Sequence, residues 1–112
     1  MEIYKLTKSD FDSDGKYVGS LPLDNLAGHL EIAAGLASVS FPNLNCSGYI
    51  MAGAGTGIEA GLSIKAGWSI KAGGSIKAGL SIEAGGSIEA GGSIKAGWSI
   101  KAGGSIEAGG SI

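Results

Sequence analysis

The chain has 112 residues with no arginine, one cysteine and a formal net charge of −2 at neutral pH, so a strongly basic surface for nucleic acid or anionic lipid is excluded. A single cysteine excludes a disulfide within the chain. Lysine and glutamate recur so closely along the C-terminal half that an apolar membrane helix is excluded there, and we expect no membrane partner.

The N-terminal segment, residues 1–16, is predicted to cap a larger structure. Polar and apolar residues alternate over residues 1–6, as they do in a half-buried strand. Thr7 follows, and it can cap a short helical turn over residues 8–11. We expect this cap to cover the first sheet edge, because an unprotected strand edge pairs with other chains.

Three acids in this segment resemble the opening of a calcium-binding loop. Asp10, Asp12 and Asp14 follow the pattern D-x-D-x-D-G, in which alternate carboxylates ligate the ion. Such a loop also needs a bidentate acid at its twelfth position, which is Leu21 here. The pattern therefore favours a capped turn followed by a glycine turn, and calcium binding is the weaker alternative.

Residues 17–55 are predicted to form irregular coils of the architecture that the later repeats build regularly. Apolar and polar side chains alternate over residues 29–33, as in half-buried strands. Residues 49–53 already resemble the later repeat, and Ala54-Gly55 is interpreted as a two-residue insertion at a corner. His29 is the single histidine, and we expect it at the surface or edge of an early strand.

Residues 56–112 repeat one hexapeptide, Ser-Ile-(Lys/Glu)-Ala-Gly-(Gly/Leu/Trp), with isoleucine at every sixth position from Ile58 to Ile112. On a helix of about 3.6 residues per turn, this period spreads the isoleucines over separate stripes. On a strand, isoleucine and alanine point to one side, whereas serine and the charged residue point to the other. Glycine and the variable residue then form a turn. The period predicts stacked strand coils with one continuous core.

The sequence is compatible with either three or two hexads in one coil. A three-sided, 18-residue coil of three hexads collects Leu62, Leu80 and Trp98 in one corner column and glycines in another. A two-sided, 12-residue coil of two hexads alternates opposite charges more regularly, which stabilises neighbours by roughly a few tenths of a kcal/mol. Because packing of large side chains inside a corner usually outweighs that gain, we favour the three-sided coil, with Trp68 and Trp98 packed in corners.

The hexads resemble two groups of known proteins. Units such as Ser-Ile-Lys-Ala-Gly-Trp resemble the hexapeptide left-handed β-helix, although lysine often follows isoleucine here and the position after Ala-Gly departs from that motif. They also resemble short phage and bacterial proteins with Gly-Ile-Lys-Ala-Gly-Trp-like hexads behind an irregular N-terminal segment. The resemblance implies an all-β, single-stranded β-solenoid with a short N-terminal cap, which acts in the host cytoplasm if it is phage-encoded.

The residues indicate a binding or structural role rather than an enzyme. His29 lies outside the regular repeats, and no paired carboxylates, activated nucleophile or phosphate-binding loop accompanies it. No cofactor and no metal are expected beyond the weak calcium alternative. As an alternative to packing in corners, Trp68 and Trp98 could provide aromatic surfaces on which nucleic-acid bases stack. The absence of arginine and the negative net charge make nucleic acid an unfavoured partner.

Two functions fit these observations. In the first, the solenoid is a rigid module that binds a protein partner, for example a phage or mobile-element inhibitor of a host defence system, of the anti-CRISPR kind. The candidate contact residues are Trp68, Trp98, Asp10, Asp12 and Asp14. In the second, an uncapped edge at Ser111 and Ile112 stacks chains end to end into a homodimer or fibre. We favour the first function, and the lack of an apolar signal segment favours the cytoplasm.

Overall fold

The computed structural model describes residues 2–112, which form strands, turns and one short 3-10 helix at Lys8–Asp10. Thr7 precedes this helix, as predicted. The strands are β1 (Ile3–Leu6), β2 (His29–Ile32), β3 (Ala37–Phe41), β4 (Leu44–Cys46), β5 (Ile50–Ala52), β6 (Thr56–Ala60), β7 (Ile64–Ala66), β8 (Ile70–Ala72), β9 (Ile76–Ala78), β10 (Ser81–Ala84), β11 (Ile88–Ala90), β12 (Ile94–Ala96), β13 (Ser99–Ala102) and β14 (Ile106–Ala108). Across residues 2–112, no helix has the length and apolar character needed to cross a bilayer.

The strands form three parallel sheets, which are the three faces of a β-solenoid of about four turns. Face 1 has six strands in the order β1-β2-β5-β8-β11-β14. Face 2 contains β3-β6-β9-β12, and face 3 contains β4-β7-β10-β13. The chain passes from face 1 to face 2 to face 3 in each coil, so strands of the same face in successive coils pair with one another. The predicted all-β solenoid is confirmed.

Strand register confirms the three-sided coil. Ile82 lies opposite Ile64 on one side and Ile100 on the other, so successive coils are about 18 residues apart. An earlier coil is longer by two positions, since Ile50 lies opposite Ile70 rather than Trp68. The extra length falls at the corner that contains Gly55, whose φ of 75° suits glycine.

Isoleucine columns form the core of all three faces. Every sixth-position isoleucine from Ile58 to Ile94 has a fully buried side chain, with an exposed fraction of 0%. The alanines two positions later are buried or partly buried, and the charged residue between them points outward. This is the predicted alternation, and each buried isoleucine contributes about 1.5–3 kcal/mol to folding.

From Gly67 to Gly109, the glycine that follows each hexad alanine is required by the closeness of successive coils. A Cβ added to Gly79 would lie 2.1 Å from the carbonyl oxygen of Gly61 in the preceding coil. The hexad glycines do not need a left-handed backbone. In the described chain, positive φ values occur at Gly15, Gly28, Gly35, Ala37 and Gly55. The regular spacing of glycine in the repeats is therefore a packing requirement between backbones.

Residues 3–26 lie across the end of all three faces. β1 pairs in parallel with β2 on face 1, with Ile3 opposite His29. Lys16 forms a parallel bridge with Ser40 on face 2, and Leu26 forms one with Cys46 on face 3. Residues 3–26 thus run once around the solenoid above the coil made by β2, β3 and β4. They extend the same core, because Leu6, Leu23 and Leu26 are buried.

Candidate functional site

The variable residues of the hexads lie in columns at the corners. Between face 2 and face 3, the backbone N–H of Leu80 donates to the carbonyl of Leu62, and the N–H of Trp98 donates to the carbonyl of Leu80, both at 2.8 Å. The N–H of Leu62 donates to the carbonyl of Pro42 at 2.9 Å, so Pro42 begins the column. Pro42, Leu62, Leu80 and Trp98 therefore form one continuous line, which we call the apolar ridge.

The apolar ridge points to solvent. The side chain of Leu62 is 53% exposed and that of Trp98 is 79% exposed, while Leu80 is half-buried between them. The prediction that bulky residues pack inside this corner is wrong, although the 18-residue coil that it supported is confirmed. The interior is already filled by the buried isoleucine and alanine columns, which leaves no room there for larger side chains at the corners.

Trp68 occupies a different corner, between face 3 and face 1. Its ring is 54% exposed. One side of the ring meets His29 edge-on at a centroid distance of 4.6 Å, and His29 in turn stacks on Tyr49 at 4.1 Å. In the next two coils the same column contains Gly86 and Gly104. Trp68 thus packs in its corner on one side only, as a cover over the aromatic residues of earlier coils.

His29 is buried beneath Trp68. Its side chain is 6% exposed, and β2 lies between β1 and β5, so the predicted surface or edge position is wrong. The Nδ1 atom accepts the backbone N–H of Tyr49 at 3.0 Å. Gly48 makes room for the ring, because a Cβ there would lie 2.1 Å from Nδ1. His29 therefore acts as a structural link between coils.

Tyr49 is also tied to the preceding coil through its hydroxyl, which donates a hydrogen bond to the carboxylate of Glu31. This bond raises the pKa of Tyr49, because the carboxylate stabilises the protonated phenol, and burial and the negative charge of Glu31 act in the same direction. The pKa of Tyr49 is higher in the folded state than in the unfolded state, where it is about 10. The hydrogen bond to Glu31 therefore stabilises the folded state fully at pH values below the unfolded-state pKa. This contribution is lost as the pH rises through the folded-state pKa.

We expect one of the three tyrosines to ionise late when the phenolate absorbance is followed during an alkaline titration of the folded protein. Glu31→Gln should move this late step to lower pH, since it removes the carboxylate. Tyr49→Phe is the matched control and should delete the step. A titration curve that Glu31→Gln leaves unchanged contradicts the assigned bond.

The two tryptophans should differ in their effects on stability. Trp98→Ala should change the free energy of unfolding by no more than about 0.5 kcal/mol, because the ring is mostly exposed. Trp68→Ala should lower it by about 1–2 kcal/mol, because it removes an edge-to-face contact and uncovers His29. Urea denaturation monitored by far-ultraviolet circular dichroism measures both. Equal losses for the two variants are incompatible with these placements.

Asp10, Asp12 and Asp14 lie in the turn of the first coil. The Oδ1 atom of Asp12 accepts the backbone N–H groups of Asp14 at 2.9 Å and Lys16 at 3.0 Å, and Asp10 accepts the N–H of Thr7 at 2.8 Å. The hydrogen bond from the Lys16 backbone is the largest cause that lowers the pKa of Asp12. In residues 2–112, no group of three or more His, Cys, Asp or Glu side chains is arranged to hold a metal ion. Asp10 and Asp12 organise the turn.

The C-terminal coil carries the predicted self-association edge. Within residues 2–112, β13 and β14 have no strand on their outer sides. Ile100 and Ile106 are therefore partly exposed, whereas the sixth-position isoleucines from Ile58 to Ile94 are fully buried. Ile112 is 66% exposed, and the carbonyl of Ser111 accepts the backbone N–H of Ile94 at 2.9 Å.

The predicted contact residues lie in separate regions. Trp98 is on the apolar ridge, Trp68 is on another corner, and the three acids are in the first coil. Leu62 and Leu80 were not predicted as contact residues. The sequence does predict that Leu62 and Leu80 align with Trp98 when one coil contains three hexads. It also predicted, however, that these side chains pack inside the corner, so they were not considered as contact residues.

Comparison with known proteins gives no match of significance. No protein-family model matches the chain. No curated protein sequence and no solved structure matches it either. The assignment of the fold therefore rests on the strand pairing within this chain, and any function has to be argued from its own surface.

Proposed function

We propose that this β-solenoid is a non-enzymatic module that binds a protein partner through the apolar ridge. The observation that carries the proposal is the line of Leu62, Leu80 and Trp98 on the outside of one corner. Contiguous exposed apolar side chains on a soluble scaffold mark interaction surfaces. Tryptophan is also enriched among the residues that dominate the energy of protein interfaces.

The repeats themselves supply an internal control for this argument. The corner between face 1 and face 2 places glycine at the same variable position in three successive coils, at Gly74, Gly92 and Gly110. Folding of a corner therefore needs no side chain at this position. Large apolar residues at the equivalent positions of the apolar ridge are then best explained by a contact outside the chain.

The single histidine and the single cysteine, which are common catalytic bases and nucleophiles, are occupied or buried. Nδ1 of His29 accepts a backbone N–H, and the ring lies under Trp68. Burial raises the pKa of the Cys46 thiol to about 11. Since the thiolate is the nucleophilic form of cysteine, this side chain is unreactive at neutral pH. These contacts support a binding role over a catalytic one.

The proposal is tested by affinity capture followed by direct binding to the purified captured protein, measured by calorimetry. The test variant is Leu62→Ser/Leu80→Ser/Trp98→Ser. The matched control is Met51→Ser, which removes an apolar side chain that is 40% exposed on face 1. We expect the ridge variant to weaken binding at least about a hundredfold, as loss of central interface residues does, and the control to bind normally. Equal affinity of the ridge variant and the unmodified chain contradicts the proposal.

Self-association through the C-terminal coil is the second candidate, favoured by the outer sides of β13 and β14, which no strand among residues 2–112 covers. In this arrangement β14 of one copy adds a strand from the next, and such a head-to-tail contact builds filaments. Sedimentation velocity over a wide concentration range tests it, with growing oligomers expected. A concentration-independent monomer excludes it. The role as an inhibitor of a host defence system and the cytoplasmic location stay predictions.

A further inference from the structure

We propose that the partner presents an acidic protein surface to the apolar ridge, with carboxylates around an apolar contact. This inference rests on the proposed function, and it adds the chemistry of the partner. It is carried by the charges on either side of the ridge, which differ from those on the rest of the solenoid.

Six charged residues flank the apolar ridge, each three positions before or after a ridge residue. They are Glu59, Lys77 and Lys95 on face 2 and Lys65, Glu83 and Lys101 on face 3. Lys65 and Glu83 form an ion pair at 3.8 Å, which occupies one glutamate. The remaining charges beside the ridge are three lysines and one glutamate.

The three lysines surround the Trp98 end of the ridge. On face 2, Lys95 lies directly opposite Lys77, and Glu59 lies opposite Lys77 on its other side. On face 3, Lys101 lies opposite Glu83, whose carboxylate contacts Lys65 on its other side. All three lysines are exposed, and none of them forms an ion pair within residues 2–112.

This arrangement leaves an excess of positive charge beside the ridge in the free protein, because the six flanking residues are four lysines and two glutamates. Like charges directly opposite one another on a sheet destabilise it, and Lys77 and Lys95 are such a pair. The negative counterpart lies on face 1, away from the ridge, where Glu89 is opposite Glu107. The later coils are thus polarised, with positive charge beside the exposed tryptophan. An acidic partner relieves the repulsion and gains complementarity.

A protein partner fits this surface better than nucleic acid does. The positive patch consists of three lysines on a chain whose net charge is −2, so a long polyanion would also meet the acids of face 1 and the first coil. The ridge offers aliphatic Leu62 and Leu80 next to Trp98, and these side chains suit an apolar protein contact rather than a ladder of stacked bases.

The test uses a random peptide library displayed on phage and selected on the immobilised full chain. Three chains are compared: the unmodified protein, Lys77→Glu/Lys95→Glu/Lys101→Glu, and Leu62→Ser/Leu80→Ser/Trp98→Ser. Circular dichroism confirms that each is folded. A fluorescent single-stranded DNA oligonucleotide is titrated in parallel. We expect selected peptides with Asp or Glu around an aromatic or aliphatic residue, a loss of about tenfold or more in their binding to the lysine variant, and a shift of that variant toward basic peptides.

The outcomes separate the two proposals. Neutral or basic peptides that bind the unmodified chain and lose binding only with the ridge variant overturn the acidic partner while supporting the ridge as a protein-binding site. Peptides that bind all three chains equally overturn both proposals. DNA binding that depends on Trp98 and the three lysines, without ridge-dependent peptides, overturns the acidic partner in favour of nucleic acid.

Discussion

Ile82→Lys should lower the free energy of unfolding by about 4 kcal/mol or more, enough to unfold part or all of the chain. Ile82 is fully buried, between Ile64 and Ile100 in the core of face 3. A lysine there must either bury its charge without a partner or leave the strand. Because each coil contacts only its neighbours, the loss should spread along the stack.

Ile112→Lys is the matched control for that substitution. The side chain of Ile112 is 66% exposed, so the same chemical change should alter stability by no more than about 0.5 kcal/mol. Urea denaturation of both variants, followed by far-ultraviolet circular dichroism, gives the comparison. If Ile82→Lys unfolds at the same urea concentration as the unmodified protein, residue 82 is not in the interior. The assignment of the isoleucine columns to the core is then wrong.

Gly79→Ala should lower the free energy of unfolding by about 2 kcal/mol or more, as expected for overpacking against an immobile backbone. The added methyl group would lie 2.1 Å from the carbonyl oxygen of Gly61. Two coils cannot separate there without weakening the hydrogen bond from the N–H of Gly79 to the carbonyl of Ala60. The substitution therefore strains the contact on which the regular stack depends.

Gly61→Ala provides a control in the same column, one coil earlier. Its Cβ would lie 3.5 Å from the carbonyl oxygen of Pro42, an ordinary van der Waals distance. We expect a change of no more than about 0.5 kcal/mol, measured by the same urea denaturation. If Gly61→Ala and Gly79→Ala destabilise equally, the hexad glycine serves backbone conformation rather than the close approach of coils.

The fold was predictable because its main determinant is local and repeated. A six-residue period of isoleucine defines both the strand and the core, and the insertion that ends at Gly55 is visible as a break in that period. The choice between two and three hexads per coil was harder. The grouping of large residues in one column selected the right coil, but those residues were assigned to the wrong side of the corner.

The apolar ridge could not be placed on the outside from the sequence, because periodicity shows which residues align and not on which side of the backbone they lie. The side is decided by the interior, which isoleucines and alanines from successive coils fill completely, and this filling is visible only once the coils are stacked. The position of His29 was missed for a related reason. Its partners Tyr49 and Trp68 are distant in the sequence and meet only through stacking of coils.

The three-hexad coil is the central claim, because only this register brings Leu62, Leu80 and Trp98 into one line. Paired cysteines test it most directly, in a Cys46→Ser background. The hydroxyl groups of Ser81 and Ser99 lie 3.2 Å apart on neighbouring strands of face 3, one coil apart in sequence. Neighbouring strands are about 4.8 Å apart, within the range that a disulfide spans.

We predict that Ser81→Cys/Ser99→Cys forms an intramolecular disulfide under mild oxidation, seen as the loss of two hydrogens in the intact mass. Ser87→Cys/Ser99→Cys is the control. Ser87 stacks on Ser69 and Ser105 at another corner, so this pair should stay reduced. A disulfide between positions 87 and 99, with none between positions 81 and 99, would establish a two-hexad coil and contradict the structure and the ridge together.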